Sequence, residues 1–272
     1  MARPRIREGM PASFQETLDS LTPDGAALTI DAPEDWAQGR TLYGGMTAAL
    51  AYRALEGAYP ALPPLRSAQF TFIGPAAGTL RFTTEILRQG KSSAVIGAEC
   101  RNADGVAARA TFVFGTPRES VIAHDLTPRD IVPRPEACEP FHKTSKPLPG
   151  FLGRFEFRSA AGSRLFEPEN RPEFAVWVRF RDGAGDDPVA ALLAIGDALP
   201  CAAMATFPKP APISTMTWQI DLHRAPPEGD GWYLVWSASE HAADGYSVQN
   251  MRVCDAAGDP IATARQVVAI FI

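Results

Sequence analysis

The chain repeats itself. Asn102-Ala103-Asp104-Gly105 is followed by Ala108-Arg109-Ala110, and Asp255-Ala256-Ala257-Gly258 by Ala262-Thr263-Ala264. Gly105 and Gly258 lie 153 positions apart in a chain of 272 residues. Around each glycine runs a strand-like segment, an Asn/Asp-Gly turn and a second strand-like segment. Upstream the echo continues: Gly78 precedes Leu80–Leu87, and Gly231 precedes Tyr233–Glu240. This spacing is far too long for a solenoid period. It predicts two copies of one small domain in tandem, with the pocket between the copies and the halves free to specialise.

Composition narrows the class. A chain of this length accommodates two domains of about 100–150 residues. Apolar residues make up 46% and charged residues 21%, ordinary for a globular protein. The net charge is −5 and no basic run occurs, so nothing points to nucleic acid. Cys100, Cys138, Cys201 and Cys254 lack metal-ligand spacing and read as reduced thiols of a cytoplasmic protein. The basic start, Met-Ala-Arg-Pro-Arg-Ile-Arg-Glu, has no apolar run behind it, which argues against a signal peptide. No run of about 18 apolar residues suggests a membrane span.

The pattern along the chain is α+β. Met46–Leu55 is rich in Ala and Leu and apolar nearly all round, as in a buried helix. Strands are expected at about 66–73, 79–88, 93–101 and 107–115, with Asp104-Gly105 as a hairpin turn. A proline-rich stretch follows. Phe155–Arg158 and Ala175–Phe180 read as the opening strands of the second copy. Asp187-Pro188 is a helix start, with Asp as N-cap and Pro in the first turn; the helix is expected over Val189–Leu199. Met216–His223 alternates, with Met216, Trp218, Ile220 and Leu222 on one side and Thr217, Gln219, Asp221 and His223 on the other. Further strands are expected at about 232–240, 246–254 and 260–271. A sheet wrapped round one central helix in each half is a hot-dog arrangement, and two in tandem make a double hot dog. The expected divisions are 1–115 for the first hot dog, 116–150 for a linker and 151–272 for the second.

Several short segments, in shared order and spacing, carry a family resemblance. They are Gly39-Arg40-Thr41-Leu42-Tyr43-Gly44-Gly45-Met46, Glu85–Ser92, Trp177-Val178-Arg179, Asp197, Leu222-His223-Arg224 and Ala262-Thr263-Ala264-Arg265-Gln266. With these the chain resembles the acyl-CoA thioesterase II-like double hot-dog proteins. The resemblance implies hydrolysis of an acyl-CoA thioester to free acid and CoA, with no cofactor or metal, in a homodimer or higher homo-oligomer. It also implies an Asp, a Thr and a Gln of the second hot dog that orient and activate a water. Carried over by position, the Gln falls on Gln266, the Asp on Thr217 and the Thr near Glu240. Only Glu240 of the latter two is able to act as a base, so the expected catalytic set is Gln266, Glu240, Thr217 and Asp197. Gly44, Gly45, Met46 and Lys91 are the expected substrate-binding residues, Lys91 through a CoA phosphate.

Each of these has a plainer reading. Gly44-Gly45 either admits a substrate carbonyl to the helix start or makes a turn with positive φ. Asp197, among Leu192, Leu193, Ile195 and Leu199, either lines the site or forms an ion pair with a cation such as Arg179. Gln266 is either catalytic or ties adjacent strands together. Glu240-His241 is otherwise a solvated strand end, and Gly90-Lys91 a hairpin turn. Two other functions stay open: a hot-dog hydratase or dehydratase on enoyl thioesters, and a non-catalytic acyl-thioester binding protein. Against the first, none of His124, His142, His223 and His241 lies near the first helix.

Overall fold

The computed structural model describes residues 12–142, 149–229 and 231–272. The N-terminal segment on which the signal-peptide expectation rests, residues 1–11, lies outside them. In chain order the elements are α1 (Phe14–Asp19), β1 (Thr22–Asp24), β2 (Ala27–Asp31), β3 (Ala37–Gln38), β4 (Thr41–Leu42), α2 (Gly44–Ala58), β5 (Leu65–Phe72), β6 (Thr79–Gln89), β7 (Ser93–Asn102), β8 (Gly105–Gly115), β9 (Phe155–Gly162), β10 (Glu173–Phe180), α3 (Pro188–Gly196), β11 (Ile213–Leu222), β12 (Tyr233–Ala243), β13 (Tyr246–Cys254) and β14 (Pro260–Ile270). The expected strands are present in both halves. Nothing before residue 44 was expected, yet α1 to β4 precede α2. The second helix ends at Gly196, three residues before the expected Leu199.

Among the described residues one sheet of 12 strands runs β1-β2-β6-β7-β8-β5-β11-β14-β13-β12-β10-β9, and every neighbouring pair is antiparallel. The halves join where β5 pairs with β11, centred on Gln69 opposite Gln219. Outward from that seam, β5, β8, β7, β6, β2, β1 on one side match β11, β14, β13, β12, β10, β9 on the other. The internal repeat is therefore a pseudo-twofold double hot dog.

The two helices fill the sheet's inner face. Tyr43 and Gly45 at the start of α2 meet Ala194 and Asp197 at the end of α3, and Glu56 near the end of α2 meets Asp187 at the start of α3. The helices are thus antiparallel. α3 starts as its sequence predicts: Asp187 accepts hydrogen bonds from the Val189 and Ala190 N–H groups, and Pro188 occupies the first turn. Met46, Leu50, Leu55, Leu192, Leu193, Ile195, Phe112 and Trp218 are all at most 1% exposed and form the common core. β10 is buried on both faces. Val176 and Val178 join that core, while Ala175 and Trp177 join a second cluster beneath Val132 and Cys138 of the linker. Trp177 Nε1 donates to the Pro133 carbonyl, pinning the linker to the sheet's outer face. The four cysteines are buried and free. No described helix is long and apolar enough to cross a membrane.

Candidate active site

The start of α2 lacks a local cap, because Tyr43 in the N-cap position provides no side-chain acceptor. The first N–H groups of a helix need partners and carry the positive end of its dipole. Asp197, the residue that closes α3, fills this role from the other half of the molecule by accepting from the Gly45 N–H. The approach is close. A Cβ on Gly44 would lie 2.6 Å from Asp197 Oδ2, and one on Gly45 would lie 2.5 Å from Tyr43 Oη and 2.7 Å from the Ala194 carbonyl. Neither glycine has a positive φ. The pair is required by close packing, and the positive-φ turn expected from the sequence is not its role. The Tyr43 hydroxyl fixes the contact by donating to the Ala194 carbonyl at 2.6 Å, its ring stacked on Phe151.

A chain of three donors ends on Asp197. Gln266 Nε2 donates to Asp197 Oδ1 at 2.5 Å. Gln249 Nε2 donates to Gln266 Oε1 at 2.6 Å. The Ala202 N–H, at the start of the 3-10 helix Ala202–Thr206, donates to Gln249 Oε1 at 2.7 Å. Gln249 and Gln266 lie directly opposite on β13 and β14, which makes their side chains neighbours on the inner face. Burial pushes the Asp197 carboxyl up to about 7, against the opposing pull of the Gln266 and Gly45 donors. Arg179, the cation considered for Asp197, instead pairs with Glu156.

Asp197 and Gln266 open onto a cavity of about 960 Å³. Its walls are mixed: Phe141, Phe151, Leu152, Leu165, Phe166, Leu199, Met204 and Ile213 supply apolar surface, while Glu139, Ser159, Arg164, Glu167, Thr215, Cys201 and His142 are among the polar and charged contributors. Burial lowers the His142 pKa to about 4, so this imidazole is neutral near pH 7. Burial raises that of Cys201, which keeps it a thiol. The cavity is not between the two copies as the repeat suggested. Among the described residues its lining comes from the linker and the second half, with Gln38 the one lining residue that precedes residue 116. The first half contributes through the Gly45 N–H behind Asp197.

Comparison with known sequences decides the family. The acyl-CoA thioesterase N-terminal domain matches residues 32–115, and the acyl-CoA thioesterase C-terminal domain matches residues 135–270. The chain belongs to the acyl-CoA thioesterase family. Among solved structures it is similar to a hot-dog protein of unknown function from Alicyclobacillus acidocaldarius (TM-score 0.85, 22% identity, 95% of this chain and 98% of that one). It is likewise similar to a candidate thioesterase II from Thermobifida fusca YX (0.80, 20%, 97% and 99%) and to the acyl-CoA thioesterase II TesB2 of Mycobacterium marinum (0.76, 17%, 95% and 98%). At these identities the likeness concerns the fold. No curated protein matches the chain significantly.

Within this acyl-CoA thioesterase fold the expected site residues separate into two groups. Asp197 and Gln266 come together, with Gly44 and Gly45 packed behind the carboxylate. Met46 is fully buried in the core and does not line the cavity. Lys91 is exposed at the tip of the β6–β7 hairpin, where the Gly90 N–H donates to the Ser93 carbonyl, and it does not line the cavity. Thr217 and Glu240 face solvent, Thr217 as its alternation with buried Trp218 requires. Met216 is the extra residue of a bulge between β11 and β14, so the inward series Leu222, Ile220, Trp218 continues through Thr215 and Ile213. Met216, expected beside Trp218, is 41% exposed. Glu240 is the extra residue of a bulge between β12 and β13, and its carboxylate accepts from Asn250 and Arg265 on the outer surface. Asp197, Thr215 and Gln266 thus all line the cavity. Sequence reading missed Thr215 and Gln249. The signal for Gln249 was available: Met251 and Val253 fix the inward parity of β13, and Gln249 shares it.

The pseudo-twofold axis shows what the other half has in place of these amides. About the seam, Ala68 corresponds to Trp218. Ala68 pairs with Phe112, and Phe112 with Ile96; Trp218 pairs with Gln266, and Gln266 with Gln249. Phe112 and Ile96, both fully buried, thus occupy the places of Gln266 and Gln249.

Proposed function

We propose that the protein hydrolyses an acyl thioester by direct attack of water, with Asp197 as general base. The observation that carries this reading is a carboxylate at the edge of a large cavity with both apolar and polar walls, its proton affinity raised by burial to about 7. Such a base is half ionised at neutral pH and well matched to taking a proton from water. Gln266 and Thr215 orient the water beside it. The apolar side chains of the wall, Phe141, Phe151, Leu165 and Phe166 among them, take the acyl chain. A covalent route through Cys201 is disfavoured, since burial holds that thiol protonated. The acyl carrier is CoA in this reading, and the chain works in the cytoplasm as a homodimer.

The test is steady-state hydrolysis of an acyl-CoA panel spanning short, long and aromatic acyl groups. Turnover of at least one member with stoichiometric release of free CoA is expected. Binding of acyl-CoA without turnover across the whole panel would make the protein a non-catalytic binder and overturn the assignment.

A further inference from the structure

We propose that Gln249 is a positioning residue that decides which end of the Gln266 side chain faces Asp197. A glutamine amide has a donor end and an acceptor end of nearly the same shape, and only its partners choose between them. Here the choice is made at a fixed point. The Ala202 backbone N–H can only donate, so the Gln249 oxygen must turn toward it. That leaves the Gln249 NH₂ to donate to Gln266 Oε1, and with Gln266 Oε1 so engaged its NH₂ is presented to Asp197. The second hydrogen of Gln249 Nε2 points to Met251 Sδ at 3.6 Å. Every polar atom of Gln249 is thus engaged inside the protein, its side chain is fully buried, and it does not line the cavity. It acts through Gln266.

The fold itself does not require these amides. The same ladder position in the first half is held by Ile96 and Phe112, an apolar pair with no such polarity to set. If Gln266 turned over, its oxygen would face the Asp197 carboxylate, two acceptors in contact. The carboxylate would lose a stabilising donor and bind its proton more tightly.

The inference rests on the hydrolase reading only for its kinetic readout. Gln249→Met keeps an unbranched side chain of similar length and removes both amide functions. The Asp197 carboxyl, followed by ¹³C NMR in aspartate-labelled protein without substrate, is expected to titrate at higher pH than in the wild type. In the same variant kcat at pH 7 is expected to fall about 10–100-fold with KM changed little, as for a misplaced reacting group, and the acid limb of the rate profile to move up in pH. Ala202→Pro is the second variant. It removes only the N–H that sets the chain's direction, at a first helical position where Pro is tolerated and after a residue, Cys201, already extended at ψ 131°. It is expected to move the Asp197 titration the same way, and it decides the matter should Gln249→Met fail to fold. An unchanged Asp197 titration in a folded variant overturns the proposal. Absence of turnover in the wild type overturns the hydrolase reading instead and leaves the NMR comparison valid.

Discussion

Asp197 occupies two positions in the chemistry of this molecule, as the cap of one helix and the candidate base of the other helix's site. Both depend on its charge, and the pH dependence follows with a definite sign. The carboxylate is the form that takes a proton from water, and it is lost as pH falls through about 7. Hydrolysis is therefore expected to rise with pH across that value. Asp197→Asn should lower kcat about 10²–10⁴-fold, the usual range for a lost general base, and remove the acid limb; a pH–rate series on both proteins checks this. Asp197 and Gln266 could be picked from the sequence because a polar side chain in an apolar run is conspicuous. Thr217 and Glu240 misled because they rested on positional correspondence with the family alone: alternation from Trp218 already turns Thr217 outward with Gln219, the bulge at Met216 brings Thr215 inward in its place, and Glu240 is itself the extra residue of the second bulge. No local composition marks either bulge.

The helices and strands were readable because each is long and consistently patterned. α2 is small and apolar on all sides, α3 opens with a strong cap, and the hairpins around Gly105 and Gly258 repeat. The pieces before α2 escaped because they are short. β1 spans three residues with Pro23 in the middle, and β3 and β4 span two each. Their pairing is dictated by partners distant in sequence, such as β6 for β2. The meeting of α2 with α3 is half visible in the sequence: Gly44-Gly45 signals a close approach or a turn, but nothing in it identifies Asp197 and Ala194 as what approaches. Close contact predicts a specific intolerance. Gly45→Ala would drive its Cβ into Tyr43 Oη and the Ala194 carbonyl. Backbone on one side cannot yield, so overpacking should cost about 1–3 kcal/mol or more. Chemical denaturation should show this loss, and hydrolysis should fall with it, because the Gly45 N–H moves away from Asp197.

The far end of the helix pair holds a second acid, which acts on the molecule as a whole because it links the halves. Burial first, and then the neighbouring Asp187 carboxyl, raise the Glu56 pKa from 4.5 to about 7. The folded protein thus keeps a proton that the unfolded chain releases between those values. Stability from this group is fully present below about 4.5 and is lost as pH rises through about 7. Glu56→Gln supplies a permanent donor in place of that proton, so the drop in melting temperature between pH 5 and pH 8 should be smaller in the variant. An equal drop in both proteins would place the pH dependence elsewhere. The linker has a consequence of another kind. At one end of the sheet β1 is too short, and too interrupted by Pro23, to recruit another strand. At the other end β9 would be an open edge. The chain at 139–141 closes it, with the Phe141 N–H donating to the Phe157 carbonyl and the Ser159 N–H to the Glu139 carbonyl. An open edge is a template for aggregation. The segment that walls the cavity is therefore also what covers this edge of the sheet, and changes in it that reshape the cavity put solubility at stake in the same few residues.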